Sequence, residues 1–166
     1  MPNVRHVMAC FAWAQRCTWQ RQLGRCAGTR IAVRAFAAQG IDTYLYNFNY
    51  HYKRYKDPAS NGCEVDSMVG CGVAHTAELR FVFDNFLPAE PEHAYSRSMQ
   101  KYWTNMAKFG TPNTPGPDAQ VPWPKYDEHS DLHLEFTAGG MLNGTALAKQ
   151  HCDFWDMLPR QGAYPH

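Results

Sequence analysis

The sequence predicts an α/β fold, and three observations carry that reading. An alanine-rich helix pattern, Arg30 to Gln39, runs directly into a strand pattern, Ile41 to Asn49. That strand is apolar without clean alternation, which suits a sheet covered on both faces. Further helix patterns and a second, alternating strand follow, so helices and strands are interleaved as in a layered α/β domain.

Each element has local signals. Thr29 is placed to cap the first helix and Gly40 to close it in a left-handed turn. A polar stretch, His51 to Val69, follows the strand. A helix over Ala77 to Phe86 then carries Leu79, Val82, Phe83 and Phe86 at i, i+3, i+4 and i+7 spacing, and is expected to bury them. Pro88 and Pro91 end it. The next helix, Tyr95 to Phe109, is expected to bury Tyr95, Met99, Tyr102, Trp103 and Met106, with Gly110, Pro112 and Pro115 as stops. Leu132, Leu134 and Phe136 alternate with His133 and Glu135, a strand pattern that Gly139 and Gly140 break. Thr145 is placed to cap a last helix whose buried side is Leu147, His151, Cys152, Trp155 and Leu158.

The 166 residues suffice for one compact domain, and 45% hydrophobic with 14% aromatic content is enough to build a core. A formal net charge of +1 points to neither nucleic acid nor an anionic membrane as partner. No apolar run reaches the length of a membrane-spanning helix. Arg5 and His6 precede an apolar run, Val7 to Ala14, that has the outline of a secretion signal but is short for one. It reads instead as a piece of a buried element, or as a start placed inside a longer gene.

The six cysteines are Cys10, Cys17, Cys26, Cys63, Cys71 and Cys152. They contain no C-x-x-C pair, so no zinc or thioredoxin-type site is expected, and they allow 15 pairings. Asn143-Gly144-Thr145 is an N-glycosylation sequon; with the cysteines it tilts toward an extracellular or secretory location. His129 and His133 lie four apart, but in a strand that spacing separates the rings by about 13 Å, too far to share one ion. Both are expected to face solvent, and no metal or other cofactor is implied.

The segment with chemical content is Gly72-Val73-Ala74-His75-Thr76-Ala77-Glu78-Leu79. It delivers a histidine on a loop, after a strand and at the mouth of a helix. An α/β-hydrolase keeps its general base in that place. The small residues Gly72 and Ala74 leave room for the ring to reach a cleft. The bland alternative is a buried histidine satisfied by hydrogen bonds.

From about Cys26 to Leu158 the chain resembles the C-terminal part of the type-B carboxylesterases, the cholinesterase-like α/β-hydrolases. The matching pieces come in the family's order. Tyr44 to Phe48 resembles the late sheet strand, and Gly72 to Leu79 with Phe81-Val82-Phe83 resembles the catalytic-histidine segment. Tyr102 to Asn113 resembles the following helix and asparagine-proline turn. Trp123 to Tyr126 with Leu132 to Phe136 resembles the terminal strand region, and Cys152-Asp153-Phe154-Trp155 the last helix. The resemblance implies His75 as general base and Glu78 as structural support for it. It also implies a Cys26–Cys152 disulfide and, with less support, a Cys63–Cys71 bridge.

The departures matter as much. In this family the order is serine, acid, histidine. The serines here are Ser60, Ser67, Ser96, Ser98 and Ser130, none in a G-x-S-x-G frame, and no acid before His75 is placed as a triad member. The expected architecture is therefore a C-terminal fragment of an α/β-hydrolase fold: few strands, three to four helices and an incomplete sheet. Residues 1–25 remain unassigned, with a mis-set start as one reading; 26–158 form the hydrolase part and 159–166 a tail. The strand Thr43 to Phe48 is expected at or near the cut, with Tyr44, Tyr46 or Phe48 showing more surface than a strand buried on both faces normally does. The parent protein would hydrolyse small-molecule carboxylic esters, the chain alone being inactive. The rival readings are a non-catalytic adhesion module and a truncated gene product without separate function.

Overall fold

The computed structural model of the chain describes residues 6–12, 19–51, 73, 76–113 and 120–157, with backbone alone for 6–12, 19–27, 151, 155 and 156. The elements are β1 (His6–Ala12), α1 (Trp19–Ala38), β2 (Asp42–Asn49), α2 (Leu79–Val82), α3 (Pro91–Phe109), β3 (His133–Thr137), β4 (Gly140–Gly144) and α4 (Lys149–Met157). The strands form one four-stranded sheet in the order β1-β2-β3-β4. β1, β2 and β3 are parallel, and β4 returns antiparallel on β3. Helices cover both faces of β2, as a strand apolar on both faces requires.

Several expectations are corrected. Among the described residues β2 is not the outermost strand but lies one strand in: β1 pairs along it from His6↔Asp42 to Ala12↔Phe48 and is the outer strand on that side. Tyr44, Tyr46 and Phe48 are accordingly buried, at 2%, 4% and 0% exposure. The first helix begins at Trp19 rather than Arg30, and Thr29 lies inside it. Gln20 to Leu23 are good helix formers, and nothing between them and Thr29 stops the helix. Gly40 does close the turn, at φ 71°.

The helix after residue 75 is a single turn. Asp84 turns left-handed at φ 51° and ends it. Phe81 and Phe86 are therefore buried, while Leu79 and Phe83 face outward. Pro91 opens α3 instead of ending its predecessor, because proline at the first helical position has no amide to leave unbonded. Gly139 and Gly140 do break the strand, β3 ending at Thr137, and they turn the chain into β4, with Thr137 Oγ1 donating to Gly140 O at 2.8 Å. Thr145 does not cap α4: left-handed Ala146 and Ala148 intervene before the helix starts at Lys149.

His133 is a further correction. It is buried at 3% exposure, with Nδ1 3.1 Å from Asp131 O. Its ring lies under Gly144, where an added Cβ would stand 2.5 Å from Nε2. β4 covers it, and only glycine permits that approach. His129, by contrast, does face solvent.

The main core lies between β2, β3, α2 and α3 and is aromatic. At its centre Trp123 donates from Nε1 to Leu45 O (2.9 Å). Asn113 holds Trp123 from both sides, accepting from its amide at 2.7 Å and donating to its carbonyl at 2.9 Å. Tyr102, buried beside it, donates to Val121 O at 2.7 Å. Burial pushes the Tyr102 phenol up to about 12.

The opposite face carries a smaller core of Val33, Leu45, Tyr126 and Cys152, bordered by charge. Arg30 on α1 reaches Asp131 (3.1 Å) and Asp153 of α4 (2.7 Å). Tyr126 donates to Asp131 at 2.6 Å. Cys152, 1% exposed, is disulfide-bonded.

Candidate active site

Parallel strands β1, β2 and β3 end on the same side of the sheet. In open α/β sheets ligands bind at that carboxyl end. The chain leaves β2 there at Asn49 and Tyr50 and returns to it through residues 76–82. Phe81 anchors the return, its ring 5.1 Å from Phe48 and 4.7 Å from Tyr50, centroid to centroid. From the other side Ser96 of α3 donates to Phe81 O at 2.5 Å, and Gln100 donates to Val82 O at 3.1 Å. α2 is thereby clamped between the strand end and α3.

His75 and Gly72 lie outside the described residues, as do Cys63 and Cys71. The flanks of His75 are described. Val73 is 4% exposed and belongs to the main core, and Ala77 packs against that core. Thr76 sits between them at φ 72°. For a β-branched residue this backbone costs on the order of 1–2 kcal/mol, and such strain persists only where the surroundings enforce it. The packed neighbours Val73, Ala77 and Phe81 supply that enforcement. Glu78 is buried at 7% exposure on the N-terminal boundary of α2, with no side-chain capping bond.

Two polar groupings at this end of the sheet escape sequence reading. Asn47 and Asn49 both donate to Glu135 Oε1, at 3.2 and 3.1 Å, tying the ends of β2 and β3 together. Their period-2 spacing on a strand was the available signal, but nothing local ties them to Glu135. Tyr50 has its phenol pKa raised, first by burial and then by the Glu92 carboxylate to which it hydrogen-bonds. Tyr95, beside it, is raised further, chiefly by burial. Neither is ionised near neutral pH, so both act there as hydrogen-bonding and packing groups.

Among the described residues no group of three or more His, Cys, Asp or Glu could hold a metal ion. No helix among them is long and apolar enough to cross a membrane.

Three parallel strands, with residues 76–82 returning to the carboxyl end of β2, accord with an α/β-hydrolase fold. Residues 24–155 match the family model described as the carboxylesterase family. The chain is 33% identical over 140 residues to Carboxylesterase 5A of Mus musculus, an alignment covering 78% of this chain and 22% of that relative. It is 33% identical over 97 residues to Acetylcholinesterase of Bungarus fasciatus, covering 54% of this chain and 16% of that relative. The chain belongs to the carboxylesterase family. It spans less than a quarter of the length of these relatives.

Proposed function

We propose that this chain is the histidine-bearing, C-terminal portion of a serine carboxylic ester hydrolase, with His75 as the general base. The observation that carries the reading is that the family match runs through His75, whose flanking residues are pinned to the carboxyl end of β2. His75 would take the proton of a serine hydroxyl as it attacks the ester carbonyl, then return it to the leaving alcohol. Gly72 would give the loop room, and Glu78 would hold its base against the core. The serine, the triad acid and the oxyanion donors would come from residues of a longer protein. The substrate class is a small-molecule carboxylic ester, and the reaction needs no cofactor. A secretory location accords with the disulfide at Cys152.

The test compares a full-length parent enzyme with its His75→Ala variant, and both with this chain alone, on p-nitrophenyl esters. His75→Ala should lower turnover on the order of 10⁴-fold with an unchanged circular dichroism spectrum. The chain alone should match the protein blank, because it has no serine in an activating frame. Near-wild-type turnover by the variant would remove His75 from the mechanism. Turnover by the chain alone, lost on His75→Ala, would refute the dependence on a longer protein.

A further inference from the structure

β4 forms one end of the sheet, and its sequence runs into the triplet Asn143-Gly144-Thr145. No other N-x-S/T triplet lacking proline in the middle occurs in the chain. The fold places this one favourably. Asn143 and Thr145 are both exposed. Asn143 pairs with Leu134 and shares its face of the sheet with Met141, two residues earlier. Met141 packs on the main core whereas Asn143 is exposed, so the acceptor lies where that face emerges from cover. The middle residue is also constrained. A Cβ at position 144 would crowd the ring of His133, so glycine suits the middle of the triplet.

An outer strand that offers unpaired amides and carbonyls invites pairing with another chain. β4 has no proline or charged residue to deter it, and Leu142 beside the acceptor is 45% exposed. A bulky hydrophilic group at Asn143 would stand over this edge and obstruct a further strand.

We propose that Asn143 carries an N-linked glycan and that this glycan shields the β4 edge. In the transfer, Asn143 Nδ2 attacks the anomeric carbon of a lipid-pyrophosphate-linked oligosaccharide. A carbon–nitrogen bond forms, the bond from that carbon to the phosphate oxygen breaks, the lipid pyrophosphate leaves, and Nδ2 gives up one proton to solvent.

The site is tested by translating the whole chain behind a cleavable secretion leader in the presence of endoplasmic-reticulum microsomes. Only chains protected from added protease are scored, so failed translocation does not enter the result. Protected wild-type chains should migrate more slowly, and peptide-N-glycosidase should abolish the shift. Asn143→Gln and Thr145→Ala should lack it, and Thr145→Ser should keep it. Protected wild-type chains without a shift, or a shift that survives in Asn143→Gln, would overturn the site. The shielding role is read by sedimentation velocity before and after an endoglycosidase that leaves one sugar on Asn143. Trimmed protein should self-associate at lower concentration than intact protein. Equal association would overturn the role while leaving the site standing.

Discussion

The two faces of the sheet are held by different physics. On the α2/α3 face, Tyr46 meets Trp103, Trp123 and Phe136 at centroid distances of 5.3, 5.7 and 5.8 Å, mostly edge to face. The stabilisation there comes from large apolar areas removed from water, with ring geometry contributing about 0.5–1.5 kcal/mol per pair beyond burial. On the α1/α4 face the apolar core is small, and Arg30, Asp131, Asp153 and Tyr126 link three segments distant in sequence. The buried part of this network, Arg30 with Asp131, gains little net energy over an apolar replacement but punishes the loss of one partner. The comparison teaches that the aromatic face supplies bulk stability, while the ionic face sets where α1 and α4 sit.

The largest test of this division is Trp123→Ala. It empties the centre of the aromatic core and removes the bond to Leu45 O, so unfolding in urea should show a loss of about 3–5 kcal/mol. A loss below about 1 kcal/mol would mean the rings are not the main source of stability.

Arg30→Met should cost roughly 3 kcal/mol, because the buried Asp131 loses its nearer guanidinium and keeps only Arg34, at 3.7 Å. Adding Asp131→Leu to that variant should recover most of the loss. If the double variant is as unstable as the single one, the penalty comes from lost packing and not from a stranded charge.

We infer that Cys26 on α1 is the partner of Cys152, since α1 and α4 are already joined by Arg30 and Asp153. Peptide mapping without reductant should recover the two cysteines linked, and Cys152→Ser should cost about 2 kcal/mol. Recovery of Cys152 with another cysteine would transfer the staple to a different pair of segments.

The smallest effect is electrostatic. Lys149 and Arg30 hold the exposed Asp153 carboxyl below its ordinary 3.8. A lowered folded value means the contribution is present above pH 3.8 and is lost as the pH falls through the folded value. The stability difference between wild type and Asp153→Asn should therefore be constant from pH 5 upward and vanish under stronger acid. A difference that instead grows under acid would give Asp153 the opposite sign.

Legibility in the sequence followed the range of each interaction. Gly40 and Gly110 were readable because a left-handed helix end at φ 71° needs little beyond the residue itself. β2 was readable from its apolar run. The periodicity of Leu79, Val82, Phe83 and Phe86 was helical, yet Asp84 ended the helix, and no periodicity encodes that turn. β4 has no β-branched residue and exists through its pairing with β3. The burial of His133 depends on Gly144 passing over it, and Arg30 lies 101 residues from Asp131. Those features are non-local, so their local sequence carries no sign of them. Exposed Leu79 and Phe83 are a related case: the pattern marked them as apolar without saying what would cover them.

The strand order also bears on how the chain finds its fold. β1, α1 and β2 form one contiguous crossover, and β3 with β4 is a tight hairpin, so each unit can assemble from neighbouring residues. The seam between β2 and β3 is different: Asn47 meets Glu135 across 88 residues. Closing a loop nearly three times as long as the β1–β2 crossover adds roughly 0.9 kcal/mol of chain entropy, a modest toll in equilibrium. Its greater effect is on rate, since distant pairings are slow to form and the pairing edges of both units stay open until they meet. The carboxyl end of the β2–β3 seam, to which residues 76–82 return, thus depends on the longest-range strand pairing among the described residues.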